Sequence, residues 1–299
     1  MKDKTIRVEM LGGLGNQMFQ AAAGITLAQR LGAQLELDTS RLRIDGARQF
    51  SLAAMNVDAD VFTDRDSPLE RTFNKIVHQS AKLLGARSPR RPTGWRGPVF
   101  TQTNYNYTPD FHQISGDCYL RGYFQSPKFF AGAEDTVRAA FTLERAISQY
   151  ARAQAQEIGE GCVALHVRRG DYLAHSGANA FHGLMQPAYY ESALELLETK
   201  FAIQKISVFS DDPDHARAMF AHHPKAHFVR GESEYDDMYL MSKARAHIIA
   251  NSTFSWWSAW LDPRPDALVI APDAWFSEQA TATHDTRDIY PPGWIRLPA

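Results

Sequence analysis

The sequence predicts an α/β protein of two Rossmann-like domains, with parallel sheets facing across a cleft. Three observations carry that expectation. Short apolar, β-branched runs alternate with segments of helical periodicity. The runs are separated by about a helix's length, as parallel neighbours in one sheet require. At 299 residues the chain is also long for a single core and suits two domains.

Residues 6–11 alternate as a strand, and Gly12-Gly13-Leu14-Gly15-Asn16 follows as a turn. From Gln17 the apolar Met18, Ala21, Ile25, Ala28 and Leu31 recur at helical spacing, and Gly32 supplies a stop. Gly24, inside this helix, suits close packing on the sheet. Residues 35–38 read as the next strand, which completes a β-turn-α-β unit. Residues 40–115 are irregular and rich in Pro, Asp and Arg, with a helix expected over 69–84. Residues 119–124 read as a strand, and Ser126-Pro127 is a helix start, N-cap then first turn. A helical region is expected over 134–156. Gly159 to Gly161 marks a boundary between domains of residues 1–158 and 159–299. Beyond it, residues 162–167, 206–210, 227–229, 247–250 and 268–271 read as strands, the last closing the sheet. Helices are predicted over 187–201, from Pro213, and over 236–245.

Composition excludes several classes. A net charge of −2 offers no broad field for nucleic acid or an anionic membrane. The basic stretch from Arg87 to Arg96 is broken by Pro and Gly and reads as a solvated loop. With only Cys118 and Cys162, neither a disulfide framework nor zinc spacing is available, which suits a reducing compartment. No signal-peptide pattern opens the chain and no run of 18 apolar residues occurs. The expectation is a cytoplasmic protein with no transmembrane segment, attached to the inner membrane peripherally at most.

The chemistry concentrates at strand ends. Cys162-Val163-Ala164-Leu165-His166-Val167-Arg168-Arg169-Gly170-Asp171-Tyr172 carries a histidine, two arginines and an aspartate to the carboxyl end of a buried strand, where open α/β sheets bind ligands. Arg168 and Arg169 need an anion, and guanidinium forks match a diphosphate. The alternative is a structural ion pair with Asp171. The Gly12-Gly13-Leu14-Gly15 loop lacks the spacing of a dinucleotide fingerprint, so a nicotinamide cofactor is disfavoured. What remains is exposed backbone at Gly15 before a helix, with Asn16 and Gln17 placed to donate to hydroxyls or phosphate. Asn16 as a plain helix cap is the alternative.

Asp212 is the natural N-cap of the Pro213 helix, which leaves Asp211 to accept from a guanine-like base. Asn251-Ser252-Thr253-Phe254-Ser255 follows a strand and should open a helix, forming an anion nest of hydroxyls and backbone N–H groups. Trp256, Trp257 and Trp260 either pack along that helix or stack on a sugar. No catalytic triad and no metal-ligand spacing stand out. Arg169-Gly170-Asp171 directly follows a buried strand, which opposes an adhesion role.

These blocks together resemble the α-1,2-fucosyltransferases of glycosyltransferase family 11. The resemblance rests on Gly12 through Gln20, His166 through Tyr172, Ser210-Asp211-Asp212 and Ala250 through Trp257, and adds Gly122-Tyr123-Phe124-Gln125-Ser126 with Lys128-Phe129-Phe130. It implies a GT-B fold and inverting, metal-independent transfer of L-fucose from GDP-β-L-fucose (GDP-fucose) to the 2-hydroxyl of a galactose-terminated glycan. No cofactor beyond the donor substrate is implied. Animal members begin with a membrane anchor, so the expectation is a bacterial form.

Carried over by position, Arg168 would hold the diphosphate beside Arg169, helped by Ser255 and the neighbouring backbone of Ser252, Thr253 and Phe254. His166 and Asp211 would frame guanine. Asn16, with Gly15 and Gln17, would lie near the reacting centre. Asp171 would either accept the acceptor's proton or orient an arginine. Related α-1,6- and protein O-fucosyltransferases share the arginine block, so another linkage stays open. So does a non-catalytic sugar- or nucleotide-binding protein. An epimerase would need a Tyr-x-x-x-Lys pair, which is not found in a suitable place. Asp64-Arg65-Asp66 mimics the D-x-D of metal-dependent glycosyltransferases but has no strand before it.

Overall fold

The computed structural model describes residues 4–45, 48–63, 92, 94–169 and 183–299. The helix expected over 69–84 and the Asp64-Arg65-Asp66 tripeptide lie outside the described residues.

Two parallel sheets form. The first contains β1 (Thr5–Glu9), β2 (Gln34–Asp38), β3 (Asp60–Phe62), β4 (Val99–Thr101) and β5 (Cys118–Arg121), in the order β3-β2-β1-β5-β4. The second contains β6 (Cys162–Val167), β7 (Lys205–Ser210), β8 (Ala226–Phe228), β9 (Ala246–Ile248), β10 (Leu268–Pro272) and β11 (Ile295–Leu297), in the order β11-β10-β9-β6-β7-β8. Three strands escape the sequence pattern. β3, β4 and β11 are three residues each and lie in the irregular 40–115 stretch and the tail, without the predicted helices that set off the equally short β8 and β9. The second sheet therefore does not close at β10, because Ile270 pairs with Ile295 beyond it. β5 stops at Arg121, short of Phe124, because Gly122 and Phe124 both adopt positive φ and turn the chain away.

Helix α1 (Leu14–Leu31) begins at Leu14, not at Gln17. Extended Gly13 is its N-cap and left-handed Gly32 closes it. Gly15, Asn16 and Gln17 thus lie in the first helical turn, and Asn16 is not the cap. Helix α2 (Ser40–Asp45) follows β2. The Ser126-Pro127 start opens a 3-10 turn, Pro127–Phe130, with the Ser126 hydroxyl accepting from Lys128 N–H. The helical region expected over 134–156 is two helices, α3 (Glu134–Ala140) and α4 (Gln149–Ala155), the second capped by Ser148. Then come α5 (Pro187–Glu198), α6 (Pro213–Phe220), α7 (Glu234–Ser242), α8 (Thr253–Trp260) and α9 (Glu278–Thr281). No helix of the described residues is long and apolar enough to cross a membrane.

The sequence explains why α1 is buried over most of its surface. Gly24 lets it settle on the first sheet, since a Cβ there would meet Val8 Cγ2 at 2.5 Å. Its other side meets the second half of the chain. Phe19 of α1 lies 4.5 Å from the Trp256 ring and 4.9 Å from Trp257, while Phe130 lies 5.5 Å from Trp257 and 5.3 Å from Trp260. These aromatics join both halves in one continuous apolar core that runs from Ile6 to Ile289. Trp256 and Trp257 are fully buried, so they pack the core and do not stack on a sugar. A second core, with Val163, Leu165, Tyr190 and Ile206, lies between the second sheet and α5–α6.

Further ties cross between the halves. Arg138 of α3 donates to Trp260 O and sits 4.0 Å over the Trp260 ring. Tyr235 OH donates to Ser51 O at 2.7 Å, and Lys128 pairs with Asp288. The two backbones also come close at Gly15, where a Cβ would stand 2.5 Å from Thr253 C and 2.7 Å from Phe254 N.

Gly15→Ala should therefore destabilise the protein. The clash is with backbone, which no rotamer change relieves, so an overpacking cost of ~1–3 kcal/mol is expected. Urea unfolding should show a lower midpoint at an unchanged slope. An unaltered midpoint would mean that α1 and α8 separate without cost.

Candidate active site

Strands β6 and β7 pair in parallel, residue for residue, from Cys162 opposite Lys205 to Val167 opposite Ser210. The next two residues of each chain must then meet. Arg168 Nε lies 3.1 Å from Asp211 Oδ2, Arg169 N–H donates to Asp211 Oδ1 at 2.8 Å, and Arg169 Nη1 stands 3.8 Å from Asp212 Oδ2. Asp212 also caps α6, accepting from His215 N–H at 3.1 Å, as the sequence predicts. Asp211 does not stand free, because the register of β6 and β7 delivers it to the arginine pair, and a base would share its remaining lone pairs. Asp171 lies outside the described residues. Aligning the carboxyl ends of the two apolar runs on paper would have found these carboxylate partners.

His166 points inward, 3% exposed, with its ring 5.8 Å from the Phe254 ring. Burial, and then the Arg168 charge, push its pKa down to about 3 despite the opposing pull of Asp211. The imidazole is therefore neutral at physiological pH. Its Nδ1 has no hydrogen-bond partner among the described residues. A neutral ring suits hydrogen bonding to a base or a hydroxyl, not an ion pair with phosphate.

Phe254 belongs to the first turn of α8, which follows β9. Ser252, the N-cap, makes no side-chain bond to the helix, and no acidic residue occupies the first turn. The Ser255 hydroxyl is buried and turned back toward Ser252 O at 3.2 Å and Ala250 O at 3.4 Å. Its contribution to an anion would thus be the backbone N–H, shared with Thr253 and Phe254. The first turn of α1 arrives from the other side through Gly15. The amino termini of α1 and α8 touch at Gly15, and the two arginines follow β6 at the end of the second sheet from which α8 starts, a setting that favours an oxygen-rich anion.

The α1 residues differ in role. Asn16 is half-buried, and its Oδ1 accepts from Gln125 Nε2 at 2.9 Å. Gln17 departs from expectation. It is fully buried, its Nε2 donates to Gly12 O and Gln49 O, and its Oε1 accepts from Ser51 N–H. That amide fastens the 49–51 loop and has no donor left for a ligand. The loop in turn receives Tyr235 OH of α7. Gln125 is the residue that sequence reasoning passed over, although it sits in the Gly122-to-Ser126 block.

Among the described residues, no three of His, Cys, Asp and Glu gather as metal ligands would. A cavity of roughly 600 Å³ lies at the amino-terminal ends of β2 and β3, lined by Ile25, Leu35, Asp58, Thr136 and Ala140. It holds none of the groups above, which lie at the carboxyl ends of the strands.

Comparison with known proteins agrees with this architecture. The NodZ α-1,6-fucosyltransferase co-crystallized with GDP superposes with a TM-score of 0.50 at 16% identity, covering 88% of this chain and 94% of that one. The fold is GT-B, that of a glycosyltransferase with two parallel sheets. The profile of Glycosyl transferase family 11 matches residues 94–298, and the chain belongs to that family. It is 33% identical to the O-antigen biosynthesis glycosyltransferase WbnK of Escherichia coli, over 89% of this chain and 93% of that protein. It is 30% identical to an α-1,2-colitosyltransferase of Escherichia coli, over 96% and 97%. A galactoside α-(1,2)-fucosyltransferase 1 of Aotus azarae is 24% identical over 84% of this chain and 63% of its own length.

A titratable group lies in α7. Burial raises the Asp237 carboxyl to about 6, against the opposing hydrogen bond from Gly231 N–H. A carboxyl raised above its unfolded value, about 3.9, stabilises the fold fully below that value. The contribution is lost as pH rises through 6. Asp237→Asn should therefore melt higher than the parent at pH 7.5 and level with it near pH 4. A gap of constant size across that range would remove the assignment.

Proposed function

We propose that this family 11 glycosyltransferase is an inverting, metal-independent galactoside α-1,2-fucosyltransferase. It transfers L-fucose from GDP-fucose to the 2-hydroxyl of a terminal galactose. The observation that carries this reading is the register-locked Arg168-Arg169 pair at the end of the second sheet from which α8 starts. Residues 159–299 take the nucleotide and residues 1–158 the acceptor. Arg168 and Arg169 bind the diphosphate with the backbone N–H groups of Thr253, Phe254 and Ser255. Neutral His166 and the edge of Asp211 border the guanine.

The chemistry follows from charge. The acceptor oxygen attacks C1 of the fucosyl unit on the face opposite the diphosphate. The C1–O bond breaks, its electron pair leaves with GDP, and the hydroxyl proton passes to Asp171 or to solvent. Held N–H donors meet the charge as it develops on the leaving oxygen. The transition state has oxocarbenium character, as in glycoside hydrolysis. Work at a cytoplasmic membrane face, on a glycan intermediate, is consistent with the relative named for O-antigen biosynthesis. A colitosyl donor is the second reading, favoured by the similarity to an α-1,2-colitosyltransferase.

The deciding assay offers GDP-fucose and GDP-colitose, each with lactose, before and after exhaustive EDTA treatment. Fucose transfer that survives EDTA is expected, with α-1,2 linkage in the product. Preference for colitose would replace the donor, and a loss restored by manganese would sink metal independence. Arg168→Lys should then lower kcat/KM by about 30-fold or more, since loss of a desolvated charge contact costs ~2–5 kcal/mol and ammonium lacks the bidentate fork. A folded variant of near-parental kcat/KM would remove Arg168 from the diphosphate.

A further inference from the structure

Beyond β5 the chain makes an uncommon turn. Phe124 is fully buried at φ 53, a left-handed conformation that a bulky non-glycine residue adopts only when its surroundings impose it. What imposes it is Gln102, whose Oε1 accepts from Tyr123 N–H at 3.1 Å and from Phe124 N–H at 2.7 Å. Gly122 permits the approach, since a Cβ there would fall 2.6 Å from Gln102 Cβ. Ser126 N–H then returns to Phe124 O at 2.7 Å. The product of this strain is the placement of one side chain, Gln125, 6% exposed and aimed at Asn16.

We propose that Gln125 is a positioning residue that sets the amide of Asn16 for transfer. An amide can turn either end toward the site. By donating from Nε2 to Asn16 Oδ1, Gln125 ties down the oxygen and leaves Asn16 presenting its Nδ2 hydrogens. Among the described residues Nδ2 donates to nothing. Asn16 follows Gly15, which touches the first turn of α8, and its Nδ2 hydrogens lie against Gly12 just past the end of β1, where a Cβ would stand 2.4 Å from Nδ2. There they serve the oxygen that leaves C1 with the diphosphate. Gln125 Oε1 is buried with no hydrogen-bond partner among the described residues, a cost that the fold accepts to keep the amide in this orientation.

This role rests on the proposed transfer from a GDP-sugar, and its test separates the two. Gln125→Met keeps the length and apolar volume of the side chain and removes the donor. Displacement of a held donor should lower kcat roughly 10- to 100-fold, with GDP affinity by calorimetry within about threefold of the parent. The same loss should vanish in an Asn16→Ala background, because the two residues act as one unit. A crystal structure of Gln125→Met should show the Asn16 amide turned. Parental kcat, additive losses, or an unmoved Asn16 each overturn the inference. Loss of GDP binding in both Gln125→Met and Gln125→Glu assigns the residue to folding alone and also overturns it. A parent protein that uses no GDP-sugar sinks the proposed activity, while the orientation of Asn16 in the variant crystal still decides the positioning role.

Discussion

The approach of Gly15 to the Thr253–Phe254 backbone is the constraint on which the rest of the molecule depends. Helices pack no closer than their side chains allow, and here one first turn meets another with no side chain between them. Both amino termini are thereby held at one place, where their unpaired N–H groups add. The contact needs support from behind, and the Phe19, Phe130, Trp256 and Trp257 rings supply it. Aromatic packing, for which the sequence left a sugar platform open, is instead what keeps the two sheets in fixed relation.

That geometry sets the electrostatics. Arginines at a strand end would repel each other and lose solvation if left alone. Asp211 and Asp212 relieve this from the neighbouring strand, through Nε and a backbone N–H in the one case and through a longer contact in the other. The pairs are partly exposed, so their worth is orientation more than stability. His166, one residue pair earlier on β6, is kept neutral by burial and by the charge it sits beside. Charged and neutral donors are thus sorted along a single strand end.

Strain and burial are concentrated near the same junction. Phe124 at positive φ, the buried Gln17 amide and the Tyr235–Ser51 bond all shape loops at the carboxyl ends of the strands, while the rest of each sheet is regular. Such local exceptions to backbone preference are expected where a fold holds reacting groups in place.

Local pattern sufficed for the parallel α/β class and for eight of the eleven strands of the described residues, because period and punctuation are written in neighbouring residues. It also marked Arg168, His166, Asn16 and the Ser252–Ser255 segment, since strand ends and helix starts can be recognised without knowing what faces them. It could not show β3, β4 or β11, whose three residues lack the predicted helices that set off the equally short β8 and β9. Nor could it assign partners. Asp211 belongs to the arginines because β6 and β7 happen to align without offset, and Gln17 is consumed by a loop 32 residues away. Gln125 reaches Asn16 across 109 positions of sequence. Residue type and local order were determined by the sequence alone. Which donor meets which acceptor was decided only when the chain closed on itself, because hydrogen bonds of that span depend on register and helix approach, and neither is a local property.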